Sequence, residues 1–226
     1  MDPRWKHPYT SLICGPTWCG KSHFVTKFIH HLPALVDKPI TEVVWCYAEW
    51  QDLYEKNENK IVRFHHGLPQ LEDFPPNEGA KIIIIDDMMR EADERVVDLF
   101  TKGSHHRNLS IMFISQNMFH QGRGRRDISL NSHYLVCFKN PRDRAQISHL
   151  SRQVYPDNPL FVREAFEDAT STPHGYLLFD FKQSTPDIMR FRTLIFPDDK
   201  NCFVYLPKNS IKRQDTAHVS SFVHHV

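Results

Sequence analysis

Apolar residues recur along the chain with two different periods. Tyr9–Cys14 is a short apolar run that predicts a strand. Phe24, Val25, Phe28, Ile29 and Leu32 then recur at helical spacing and predict a helix over 21–31, stopped near Pro33. Ile40–Tyr47, dense in β-branched and aromatic residues, predicts a second strand. A short helix over 50–54 and a weak strand over 61–64 follow, and a loop then runs through Gly67, Pro69, Pro75, Pro76 and Gly79. Ile82–Ile85 are four consecutive isoleucines, the mark of a strand buried on both faces in the middle of a parallel sheet.

Beyond them, Val96, Val97, Leu99 and Phe100 form the stripe of a helix over 90–102, and Leu109–Ser115 and His133–Phe138 read as strands. Helices over 142–155 and 160–169 come next, and two strands, 176–181 and 191–196, make the far edge of the sheet. From Pro197 the pattern fades. Alternating strands and helices predict an α/β fold with a mainly parallel central sheet. The expected division is a lead-in over 1–8, one domain over 9–200, and a loosely ordered tail over 201–226.

The 226 residues suit one α/β domain with at most a small appendage. No apolar run approaches the ~18 residues of a membrane span, and Met1–His7 lacks the apolar stretch of a signal peptide. Five scattered cysteines (Cys14, Cys19, Cys46, Cys137, Cys202) suit reduced thiols better than a disulfide framework. The expectation is an intracellular protein with no membrane partner.

The formal net charge of +1 hides an asymmetry: acids dominate from Asp52 to Phe100, and bases from Lys102 to Arg152. The fifteen histidines lack Cys or carboxylate partners at ligand spacing, which argues against a zinc-type site.

Gly15-Pro16-Thr17-Trp18-Cys19-Gly20-Lys21-Ser22 has the spacing G-x-x-x-x-G-K-[ST] between the first strand and the first helix. The glycines let backbone N–H groups turn inward around an anion, and the helix adds the positive end of its dipole. Lys21 is placed to reach the β/γ-phosphates of ATP, and the Ser22 hydroxyl to take a Mg²⁺ position. Asp86 and Asp87 follow the isoleucine strand at its C-terminal end, where open α/β sheets bind ligands. Asp86 is expected to hold Mg²⁺, and Asp87 to polarise the attacking water.

Gln116, at the tip of the strand 109–115, suits either sensing of the γ-phosphate or satisfaction of a loop backbone. Arg107 lies at the opposite end of that strand. It either reaches a neighbouring subunit's nucleotide as an arginine finger or serves as a surface or DNA-facing charge. Met118–Arg126 reads as a Gly-punctuated basic loop whose Arg123, Arg125 and Arg126 suit contact with a phosphate backbone.

The ordered set of Gly15–Ser22, Asp86-Asp87, Arg107 and Ser115-Gln116-Asn117 resembles the FtsK–HerA superfamily of DNA-pumping ATPases. More narrowly, Arg107–His120, Leu130–Tyr134 and Phe138–Asp143 look like the poxvirus-type packaging ATPases and their Maverick/Polinton and adintovirus relatives. The resemblance covers about residues 9–196. It implies a P-loop NTPase of RecA-like (ASCE) type, a three-layer sandwich with Mg²⁺-dependent ATP hydrolysis. It further implies a homo-oligomeric ring, pentamer or hexamer, that drives double-stranded DNA into a capsid in an infected host cell and meets capsid vertex proteins.

One departure stands out: many relatives carry Glu where this chain has Asp87. The carboxylate sits about 1–1.5 Å further back, and a misplacement of that order costs ~100-fold in rate unless the loop compensates. The residues also leave open a small nucleotide or nucleoside kinase, or a nucleotide-dependent assembly protein that does not hydrolyse.

Overall fold

The computed structural model describes residues 2–51, 54, 60–75, 78–86, 88, 94–100, 107–118, 125–208 and 223–225, with backbone alone at 94, 125–127 and 223–225. Ile82, Ile83, Ile84 and Ile85 are all fully buried in β4 (Ala80–Asp86). Because side chains alternate along a strand, Ile82 and Ile84 face one helical layer and Ile83 and Ile85 the other. β4 lies between β2 (Ile40–Tyr47) and β5 (Leu109–Ser115), parallel to both.

Beyond β2 is the edge strand β3 (Val62–His66), and beyond β5 come β1 (Thr10–Cys14) and β6 (Tyr134–Phe138), still parallel. β7 (Tyr176–Asp180), β8 (Phe191–Thr193) and β9 (Phe203–Leu206) then add antiparallel neighbours, and β10 (Val223–His225) pairs parallel to β9. Among the described residues the sheet order is β10-β9-β8-β7-β6-β1-β5-β4-β2-β3.

Helices α1 (Lys21–His30) and α2 (Leu32–Leu35) cover one face. The stripe Phe24, Val25, Phe28 and Ile29 packs there on Ile13, Ile84 and Val136. Each such side chain contributes about 1.5–3 kcal/mol on burial. α3 (Glu94–Asp98), α5 (Ala145–Val154) and α6 (Pro159–Ala169) cover the other face, where Val96, Leu150, Phe161 and Val162 meet Ile83, Phe113 and Leu135. α4 (Arg125–Leu130) joins that layer through Ile128. The result is the expected three-layer α/β sandwich. Among the described residues no helix is long and apolar enough to cross a membrane.

The first helix ends as expected: α1 stops at His30, ahead of Pro33, which sits in the first turn of the separate α2, where its missing N–H is not needed. Other expectations about the elements are corrected. The strand expected over 191–196 stops at Thr193, because Leu194 takes a left-handed φ of 52° and Phe196 turns back to pack against Phe24. The sheet also runs past the expected boundary at 200. Within the tail expected to be loosely ordered, β9 pairs with β8, and the Tyr205 hydroxyl donates to Asp168 Oδ2 at 2.8 Å. Arg125 and Arg126, expected in a basic loop, open α4 instead.

The lead-in from Pro3 to His7 is fastened to the body. Trp5 is buried and stacks on Tyr134 with centroids 4.2 Å apart. Arg192 donates to the Pro3 carbonyl and to Asp180 Oδ2, both at 2.6 Å, in a buried ion pair across β7 and β8.

Candidate nucleotide site

The alternation that buries the isoleucines also delivers the site. Asp86 continues the Ile82–Ile84 row of β4, and Gln116 continues the Met112–Ile114 row of β5, so both extend the α1 side of the sheet. The loop after β1 closes on the same side. Gly15 N–H bonds Ser115 O at 3.2 Å, which ties the loop's start to the end of β5. A Cβ at Gly15 would lie 2.7 Å from both Cys19 Sγ and Phe138 Cβ, so only glycine fits there. Gly20, at φ 110°, and Trp18, at φ 67°, take left-handed conformations that curl the loop over the N-terminus of α1.

A cavity of about 550 Å³ opens at this end of the sheet. Its walls include Trp18, Lys21, Ser22, Asp86, Gln116 and His174, and its size suits a small-molecule ligand such as a nucleotide. The first turn of α1 presents its amides to it, as the start of any helix does. Lys21 Nζ is folded into the loop and donates to Gly15 O at 2.7 Å and Pro16 O at 2.8 Å. These carbonyls hold the ammonium where a phosphate would draw on it.

Burial pushes the Cys19 thiol pKa up, and nearby Lys21 opposes that only in part, so Cys19 is a thiol and not a nucleophile at neutral pH. Asp86 is only 4% exposed yet forms one wall of the cavity. A buried carboxylate that shares a cavity with a serine hydroxyl fits Mg²⁺, which takes one or two protein oxygens and completes its shell with phosphate and water.

The structure thus brings Thr17, Trp18, Gly20, Lys21, Ser22, Asp86 and Gln116 to one cavity. Arg107 lies outside this group. It precedes β5 at the far end of the strand, and its Nη1 donates to Leu71 O at 3.3 Å and Phe74 O at 2.8 Å in the β3–β4 connection. Asp87 and Arg123 lie outside the described residues, as do the side chains of Arg125 and Arg126.

Four contributors carried no signal in the sequence pattern. His174, in the turn between α6 and β7, donates from Nδ1 to Cys19 O at 3.1 Å and so braces the phosphate-type loop from outside. Trp45 and Tyr54 both donate to Asp86 Oδ2. Gln146 on α5 accepts from Met118 N–H at 3.1 Å and donates to Asn117 Oδ1 at 3.4 Å, pinning the chain just beyond Gln116.

One strand, β5, is interposed between the strand that leads into the glycine-lysine loop and the strand that ends in Asp86. With helices on both faces, this is the fold of a P-loop NTPase. No protein-family model and no curated protein matches the chain.

Among solved structures it is similar to the genome packaging NTPase B204 of Sulfolobus turreted icosahedral virus 2, captured in complex with ATP-gammaS. The two share 13% identity at a TM-score of 0.53, over 82% of this chain and 96% of that one. It is also similar to the cytoplasmic domain of the Type VII secretion ATPase EccC of Thermomonospora curvata, with 15% identity at a TM-score of 0.50. That match spans 78% of this chain and 24% of the EccC chain. At such identities the likeness is one of fold.

Proposed function

We propose that the chain is an ATP-hydrolysing motor subunit that moves double-stranded DNA, packaging a viral or virus-like genome into a capsid. The observation that carries this reading is the convergence of Lys21, Ser22, Asp86 and Gln116 on one cavity at the mouth of the sheet. The likeness in fold of 82% of the chain to a viral genome packaging NTPase supports it. So does the resemblance of about residues 9–196 to the FtsK–HerA ATPases.

In this reading the loop Gly15–Ser22 binds the phosphates of ATP through its amides and Lys21. Ser22 and Asp86 would hold Mg²⁺, which when bound would neutralise charge on the phosphates. Asp87 orients the attacking water, and Gln116 reads the γ-phosphate. Through Asn117, Met118 and Gln146 the state of Gln116 reaches α5, and it is coupled to the basic stretch of Arg123, Arg125 and Arg126, which contacts the DNA backbone. Arg107 completes the site of a neighbour in a homo-oligomeric ring docked at a capsid vertex in an infected cell.

ATP turnover measured with and without double-stranded DNA, and with and without an acceptor nucleoside, tests the reading. Turnover rises with DNA and is indifferent to the nucleoside, and Lys21→Ala abolishes it. An unchanged rate in Lys21→Ala removes the site from the catalysis. Transfer to the nucleoside makes the chain a kinase instead.

A further inference from the structure

We propose that Trp45 and Tyr54 are positioning residues that fix the Asp86 carboxylate for a divalent cation; this rests on the nucleotide-site reading above. Trp45 on β2 is in register with Ile84 of β4, two residues before Asp86. Side-chain alternation therefore turns Trp45 and Asp86 to the same face of the sheet. The Trp45 indole Nε1–H donates to Asp86 Oδ2 at 3.3 Å, and the Tyr54 hydroxyl donates to the same oxygen at 3.0 Å. Two donors converging on one oxygen set both the rotamer of Asp86 and the rotation of its carboxylate plane.

The donors are themselves held. Trp45 is fully buried and Tyr54 is 1% exposed, and their ring centroids lie 5.4 Å apart. Phe64 packs on Tyr54 at 5.3 Å and Trp50 at 5.4 Å, forming an aromatic wall behind the carboxylate. Inside that wall neither the indole nor the phenol can swing away without opening a void in a close-packed region.

The two donors are of a kind that suits this role. Indole and phenol are neutral, so they orient the Asp86 carboxylate without themselves adding a charge beside it, unlike the Arg192 guanidinium that meets Asp180 at 2.6 Å. Carboxylates that ligate metals are characteristically hydrogen-bonded from behind in this way, and removal of such a partner typically costs ~10–100-fold in metal affinity.

Tyr54→Phe deletes the donated hydroxyl and keeps the ring in its wall. Mn²⁺ binding to the full chain with a non-hydrolysable ATP analogue is measured by electron paramagnetic resonance of the free ion. Analogue binding in EDTA is measured alongside. Tyr54→Phe is expected to weaken Mn²⁺ binding about tenfold, with analogue binding in EDTA unchanged. Trp45→Phe is expected to act in the same direction.

Unchanged Mn²⁺ affinity in Tyr54→Phe overturns the proposal. An equal loss of analogue binding in EDTA also overturns it, since that marks a general structural fault. Failure of the underlying site reading has a separate signature: the wild-type chain then binds neither the analogue nor Mn²⁺ in its presence.

Discussion

At the residue scale, Gly15 is the tightest point of the site. Its neighbours on the two sides differ in kind: Cys19 Sγ belongs to the loop itself, whereas Phe138 Cβ belongs to β6 and is fixed by the sheet. In Gly15→Ala the loop therefore has to move as a unit away from β6. Overpacking of this kind typically costs 1–3 kcal/mol of stability, and the displaced amides no longer converge on one anion. We expect nucleotide affinity, followed by a fluorescent ATP analogue, to fall by at least tenfold while the far-ultraviolet circular dichroism stays that of the folded chain. Adding Cys19→Ala to Gly15→Ala removes one of the two close contacts and should recover part of the stability. Retention of full affinity in Gly15→Ala would mean that the loop geometry is not what binds.

At the scale of elements, the segment His7–Tyr9 is joined to β5 by a chain of polar contacts. Tyr9 N–H donates to Ser110 Oγ at 3.1 Å, Ser110 Oγ lies 2.6 Å from His7 Nδ1, and His7 Nε2 lies 3.0 Å from Asn108 O. A carbonyl only accepts, so Nε2 carries the proton; in the neutral imidazole Nδ1 then accepts from the serine hydroxyl. Burial lowers the His7 pKa below its ordinary 6.5, with the Asn108 contacts opposing it in part. The folded state thus binds the proton less readily than the unfolded chain. Stability from this group is complete above pH ~6.5 and declines as pH falls from there toward the folded value, by at most ~1.4 kcal/mol per unit. The thermal midpoint of the wild type should drop between pH 7 and 5.5, and His7→Gln should show a shallower drop. Identical slopes would assign the acid sensitivity to other groups.

The same elements show why some of the molecule could be read in advance. The isoleucine run and the glycine-lysine loop are local: spacing within a dozen residues determines burial on both faces in one case and an anion cradle in the other. The clamp on Asp86 and the brace on Cys19 are not local. Trp45, Tyr54 and His174 meet their partners through sheet order and the packing of an aromatic wall, which no periodicity records. β9 was hidden for a related reason. Its four residues carry a weak pattern, and their strand character comes from pairing with β8.

At the scale of the whole molecule, the position of Arg107 separates two roles that a single-chain assay merges. Within its own chain the guanidinium holds the carbonyls of Leu71 and Phe74, at the end of β5 remote from Gln116. That distance rules out service to its own nucleotide but is compatible with service to a neighbour's in a head-to-tail ring. Arg107→Ala subunits keep an intact loop around Lys21, and Lys21→Ala subunits keep an intact Arg107. Each alone should be inactive. Mixed in equal amounts, a random ring pairs a sound loop with a sound arginine at about a quarter of its interfaces. ATP turnover should then return to at most about a quarter of the wild-type rate, and only at protein concentrations where rings form. A trans-acting arginine requires this recovery, because a subunit weakened by loss of its ties to Leu71 and Phe74 is not repaired by a neighbour that lacks Lys21. Absence of recovery would confine Arg107 to holding the β3–β4 connection of its own chain.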